Sequence, residues 1–139
     1  MSRKLIAAGL APFAPETAAV QAGRLMLKEL DRHFQARESF AFETTLSGRA
    51  YLRHIRHWQA AGYRVKLIFL RLQTADEAVE RVAQRVQQGG HDIPEAVIRR
   101  RFDTGLDNFR ECYAPLVDAW ALYDNSGLQP MLLDWGEKP

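Results

Sequence analysis

The sequence predicts an α/β layer fold with a largely parallel sheet. Three observations carry that prediction. Helical and strand-like patterns alternate along the chain, Tyr63 to Leu72 is an almost continuous run of apolar and β-branched residues, and a helix-start signal at Thr74 follows that run at once. A strand of this kind, covered on both faces and followed directly by a helix, is the repeating unit of parallel sheets.

Beyond Ala11-Pro12-Phe13-Ala14-Pro15, only Gly23 breaks a stretch with Val20, Leu25, Leu27, Leu30 and Phe34 near helical spacing, so a helix is expected over Glu16 to Ala36. Ser39 to Thr44 is short and aromatic, with Phe40 and Phe42, and is expected as a strand. Ser47-Gly48 turns the chain into a helix from about Arg49 to Ala61, closed by Gly62. After the Tyr63–Leu72 strand, Thr74-Ala75-Asp76-Glu77 matches a capping box, and the helix runs through Gln88. Val79, Val82 and Val86 mark its expected buried stripe, with Arg81 and Arg85 one turn apart on another face.

Gly89-Gly90-His91 breaks this helix, and Pro94 suits the first position of the next, expected to reach Tyr113 before Pro115 interrupts it. The two form a hairpin. Trp120 to Tyr123 and Met131 to Asp134 are further short strands, separated by the turn signal Asn125-Ser126-Gly127. There is no internal repeat or low-complexity segment.

Composition narrows the functional classes. At 139 residues and 47% hydrophobic content, the chain suits one compact domain and is short for two. With 19 Lys and Arg against 17 Asp and Glu, the net charge of +2 makes no case for nucleic-acid or anionic-membrane binding. The longest apolar runs fall far short of a membrane span, and Pro12 and Pro15 arrive before a signal-peptide core is complete. Cys112 is the lone cysteine, which excludes an internal disulfide and suits a reducing cytoplasm. No His and carboxylate cluster has metal-ligand spacing. His54 and His57, beside Arg49, Arg53 and Arg56, read as a solvated basic helix face.

Three segments stand out together: Phe40-Ala41-Phe42-Glu43-Thr44-Thr45-Leu46-Ser47-Gly48-Arg49, then Arg85 through Gly89-Gly90-His91-Asp92-Ile93-Pro94, then Asp124-Asn125-Ser126. Their order and spacing resemble the zeta-toxin-like P-loop kinases. Leu5-Ile6-Ala7-Ala8-Gly9-Leu10-Ala11-Pro12 also resembles a segment of that family, so the likeness covers almost the whole chain. The resemblance implies a three-layer fold and an ATP- and Mg²⁺-dependent phosphotransferase whose acceptors are nucleotide-activated amino sugars such as UDP-N-acetylglucosamine. The family includes toxins held by an antitoxin protein as well as stand-alone kinases.

Phosphoryl transfer requires a phosphate cradle, Mg²⁺, cations over the moving phosphoryl group and a carboxylate to orient the acceptor hydroxyl. The cradle motif G-x-x-x-x-G-K-[ST] is not found: none of the nine glycines is followed by Lys-Ser or Lys-Thr. By the resemblance, the P-loop and the first, central strand would precede Leu5, and the acidic base position corresponds to Lys4, which cannot readily accept a proton at neutral pH. An N-terminally incomplete domain is therefore expected. The flanking strands would then pair directly, receive another chain, or be covered by a rearranged N-terminal helix.

On the acceptor side the resemblance implies Glu43, Thr45 and Arg49 as substrate contacts. From the residues alone, Glu43 and Thr45 fit equally well a strand end capping the next helix. Arg85, Arg100 and Arg101 flank a hairpin resembling the lid that brings guanidinium forks onto ATP phosphates, whereas unaided they read as solvated helix faces. Which of Arg99, Arg100 and Arg101 faces the site depends on helix phase. His91 suits either a phosphate contact or a cap of the hairpin, and Asp124 with Asn125 suits either the nucleotide-base side or an Asx turn. The competing expectation is a non-catalytic relic that binds a nucleotide-like ligand or a protein partner, as an oligomer.

Overall fold

A computed structural model describes residues 15–44, 46–90 and 92–139, with side chains from Gly23 onward. The chain forms two compact units, Met1–Thr44 and Thr45–Pro139. The expectation for Lys4, and those for Thr45 and His91, fall outside the described residues.

In the first unit, helix α1 (Pro15–Gln35) forms where the spacing predicts. Its buried positions are Met26, Leu30 and Phe34, one turn apart, while Leu25 lies at the margin and is exposed. The helix ends in a left-handed residue, Arg37 at φ 61°, with the Glu38 amide donating to the His33 carbonyl and the Arg37 amide to that of Phe34. This is the Schellman closure, here without glycine. The strand expected over Ser39 to Thr44 does not form. A strand needs a ladder partner, and none pairs with this segment among the described residues. Instead the segment folds against the end of α1: Nδ1 of His33 lies 2.6 Å from a Glu38 carboxylate oxygen, and the His33 ring stacks on Phe40.

The second unit contains helix α2 (Tyr51–Ala60), strand β1 (Lys66–Arg71), helix α3 (Ala75–Gln87), helix α4 (Glu95–Asn108), a π-turn (Phe109–Tyr113), and strands β2 (Ala119–Asp124) and β3 (Met131–Glu137). The sheet order is β1-β2-β3, with β1 and β2 parallel and β2 and β3 antiparallel. The sheet is thus small and mixed, a correction to the largely parallel sheet expected, because the short Asn125-Ser126-Gly127 connection can only return a strand antiparallel.

Burial corrects the sequence expectations at two further places. β1 is not covered on both faces: Ile68 and Leu70 are 56% and 52% exposed. The backbone carbonyls of Val65 and Arg71 accept from the β2 side, so Lys66, Ile68 and Leu70 direct theirs to the opposite edge, where no strand pairs among the described residues. The valine stripe of α3 is also not buried, since that helix has no buried residue and Val86 is 37% exposed. The core lies elsewhere. Phe109 stacks on Phe69 of β1 at 4.8 Å and meets the edge of Trp120 of β2 at 5.6 Å, and Tyr113 and Val117 are fully buried.

The beginning of the β1–β2 pair is closed by Asp118. One of its carboxylate oxygens accepts from the Val65 amide at 2.7 Å and from the Gln59 side chain at 3.2 Å. These donors, the Val65 amide first, hold its carboxyl below the usual carboxylate range.

Candidate functional site

The other end of the pair, where β1 and β2 finish, is the rim at which open α/β sheets place ligands. A cleft of about 240 Å³ lies there, walled by the end of β1, by α3 and by α4. Its lining is mainly apolar, with Val82, Ile93 and Phe102 among the wall residues, and two arginines enter it, Arg71 and Arg101. Two arginines at the wall of an otherwise apolar cleft suit an anion better than a neutral ligand.

The hairpin over this cleft is shaped by its glycines. Gly89 adopts φ 92°, which disfavours any β-carbon, and the Gly90 amide donates to the Arg85 carbonyl at 2.6 Å. A β-carbon on Gly90 would lie 2.8 Å from that same carbonyl oxygen, so the turn admits only glycine. Helix α3 starts as the capping signal predicts, with Thr74 Oγ1 accepting from the Glu77 amide at 3.2 Å. The reciprocal reach is displaced by one residue: Glu77 accepts from the Gln73 amide at 3.4 Å and from the Ser126 hydroxyl at 2.7 Å. Pro94 occupies the cap of α4 and Glu95 its first position.

The helix phase separates the three consecutive arginines. Arg99 is tied to Asp76 at 2.6 Å and reaches Glu95 at 3.4 Å, joining α4 to the start of α3. Arg100 and Arg101 are both exposed, and Arg101 is the one of the three that lines the cleft. Arg85, in the last turn of α3, is exposed.

Asp124, Asn125 and Ser126 form an Asx turn, the Ser126 amide donating to Asp124 Oδ1 at 2.9 Å. Gln73 donates to Oδ2 of the same carboxylate at 2.9 Å, and Arg81 donates to the Asn125 carbonyl. Both oxygens of Asp124 are therefore engaged, and Gln73 followed by Ser126 holds its carboxyl below the usual range. The turn ties the end of β2 to the first turns of α3.

Glu43 is exposed and belongs to the first unit, whereas Arg49 is exposed in the second. Arg49 sits on a loop gripped from below: its Nε donates to Asn108 Oδ1 at 3.4 Å, Asn108 Nδ2 donates to the Leu46 carbonyl at 2.8 Å, and the Tyr113 hydroxyl donates to the Gly48 carbonyl at 2.9 Å. Burial pushes the Tyr113 phenol up from its ordinary value, which keeps the donating proton in place. On α2, Arg53, Arg56 and His57 are exposed, while His54 is half-buried against Trp58.

Residue reasoning did not find Arg71, Asn108, Asp118 or Gln73. Arg71 looked only like an interruption of an apolar run. Asn108 had a usable signal, a polar residue three and seven positions beyond Gly105 and Arg101 on one helix face.

Residues 13–127 match the family model described as Zeta toxin. The chain belongs to the zeta toxin family. A protein of Haemophilus influenzae described only as an uncharacterized protein is 27% identical over 97 residues, spanning 70% of this chain and 69% of that one. No solved structure matches the chain. Membership of the zeta toxin family supports a P-loop-kinase-like, nucleotide-binding domain. Among the described residues no helix is long and apolar enough to cross a membrane, and no group of three or more His, Cys, Asp or Glu is placed to hold a metal ion.

Proposed function

We propose that residues 1–139 belong to one P-loop-kinase-like domain that carries the acceptor and lid sides of an ATP-dependent phosphotransferase acting on nucleotide-activated amino sugars such as UDP-N-acetylglucosamine. The observation that carries this reading is the position of Arg101: of three adjacent arginines in the lid segment, it is the one in the wall of the cleft at the strand ends. Arg101, with Arg85, Arg100 and His91, is the set proposed for nucleotide phosphate, and Arg71 joins it from the strand. Glu43, Thr45 and Arg49 are proposed to meet the acceptor. Asn125 is proposed to face the nucleotide base while Asp124 fixes the turn.

The cleft suits the charge of a polyphosphate but not the whole of a metal-bound one. It holds guanidinium groups, and its walls include no carboxylate for Mg²⁺ and no glycine-rich cradle. No transfer step is derived through ATP for these residues. With Lys4 at the position of the expected base, we expect binding of UDP-N-acetylglucosamine without transfer to it from Mg²⁺-ATP. Titration calorimetry with the sugar nucleotide, alongside a radiolabelled phosphate-transfer assay, tests both halves. Robust transfer overturns the inactive reading, and absence of any sugar-nucleotide binding overturns the acceptor reading.

The open edge of β1, with Ile68 and Leu70 exposed, favours a second reading: a non-catalytic member that pairs with another copy or with an antitoxin-like protein. A stable dimer in sedimentation, with Mg²⁺-independent ligand binding, supports it. A reducing, cytoplasmic setting suits the lone Cys112.

A further inference from the structure

We infer that Asn108 is a positioning residue for the acceptor: through Arg49 Nε and the Leu46 carbonyl it presents the outer fork of the Arg49 guanidinium to a phosphate group of the acceptor's nucleotide. The inference rests on the reading of Arg49 as an acceptor contact and adds the residue that makes that contact directional.

Asn108 is a buried polar side chain at the end of α4, 3% exposed. A buried amide is costly unless both its donor and its acceptor are used, and here both point into one loop. Nδ2 donates to the Leu46 carbonyl at 2.8 Å, and Oδ1 accepts from Arg49 Nε at 3.4 Å. Leu46 itself stands at φ 55°, a left-handed conformation that its β-carbon disfavours. Such a residue persists only where its surroundings over-determine it. The Asn108 bond, the burial of the Leu46 side chain to 4% exposure and the Tyr113 bond to Gly48 supply that constraint.

The π-turn explains how two residues five apart act together. In an α-helix, positions 108 and 113 would face in different directions. Widening to an i→i+5 bond, here the Ala114 amide to the Phe109 carbonyl at 2.8 Å, brings Tyr113 round to the loop that Asn108 holds. Three of four consecutive loop residues are thus fixed from one helix end.

The atom used on Arg49 matters. Arg49 is exposed, and its bond to Asn108 uses Nε, leaving the Nη1 and Nη2 pair, an edge that can grip phosphate oxygens in bidentate fashion, outside that contact. Arg101 and Asn108 are seven residues apart on one face of α4, which places the two anchor points about 10 Å apart along the helix axis. The same helix therefore carries Arg101 midway along it and, at its end, the residue that holds Arg49.

The test is a double-mutant cycle read by UDP-N-acetylglucosamine affinity on the whole chain. Arg49→Gln is expected to weaken binding at least tenfold, and Asn108→Ala about as much. If Asn108 acts through Arg49, the double variant loses no more than Arg49→Gln alone; a merely structural contribution multiplies the two losses. Asn108→Leu, which keeps the side-chain volume, serves where the alanine variant does not fold, with circular dichroism confirming the fold. Binding by the Asn108 variant within twofold of the wild type, or a double variant showing the product of both losses, overturns the inference while leaving the acceptor reading intact. No effect of Arg49→Gln, or no binding by the wild type, overturns the acceptor reading and the inference with it.

Discussion

The two ends of α4 are held in opposite ways. At its start, Ile98 is the buried side chain, Arg99 pairs with Asp76 in solvent, and the neighbouring α3 buries no residue. At its end, Asn108, Phe109 and Tyr113 are buried against the sheet and the Leu46–Arg49 loop. Local stability follows buried contacts, so the lid end should open at a much smaller free energy than the loop end. On the proposed reading, a phosphate-binding lid would use that freedom to admit and release its ligand, while an acceptor side would use fixed geometry. The contrast does not come from the composition of the helix, which places its arginines midway along it, but from what each end packs against.

The sharpest test of this contrast compares one substitution from each region. Phe109→Ala removes a ring packed between Phe69 and Trp120 and is expected to cost about 3–5 kcal/mol of unfolding free energy. Val86→Ala on α3 is expected to cost well under about 1 kcal/mol, since that side chain is already 37% exposed. Urea denaturation monitored by tryptophan fluorescence measures both. Equal losses would mean that α3 is part of the core.

The second test concerns the rigid region at acid pH. Asp118 joins the beginnings of β1 and β2, and its carboxyl is held below its ordinary range by the Val65 amide and then by Gln59. Because the folded value is depressed, its contribution is full above the unfolded value, about 3.9, and is lost as pH falls through the folded one. Asp118→Asn is expected to cost about 1 kcal/mol at neutral pH, discounted for its solvent exposure, and to flatten the decline of stability below about pH 4. An unchanged slope would show that Asp118 contributes nothing to acid unfolding.

Much of this architecture was legible in the sequence because local chemistry fixed it. The Thr74 cap, the Gly62 and Gly89 helix ends and the 66–71 strand depend on residues within a few positions of one another. Failures arose where partners are distant. Phe40 and Phe42 promised a strand, yet strand formation is decided by a neighbour that the segment itself does not specify. The burial of β1 and α3 was overestimated for the same reason: an apolar run shows that a residue can be covered, not what covers it. At the candidate site, the sequence pointed to three adjacent arginines, and only helix phase distinguished the Asp76 partner from the cleft-facing one. Tyr113 was hidden because its reach to the Gly48 carbonyl comes from a π-turn, which has no simple sequence signature.

The smallest expected effect separates local opening from global stability. Arg99→Ala removes the exposed link between α4 and the first turn of α3, a type of contact that contributes little to the folded state as a whole. The urea midpoint should therefore stay where it is. Amide exchange should nevertheless quicken across Asp76–Gln87 and the first two turns of α4, because where α3 buries no side chain and the start of α4 buries only Ile98, one ion pair is a large share of what resists opening. Exchange at Phe109–Tyr113 should be unaffected in the same sample, giving an internal reference. Faster exchange at both ends would mean that α4 opens as one unit and that the lid and the acceptor floor are not separable. Unchanged exchange at both would mean that packing of the hairpin, rather than Arg99, resists its opening.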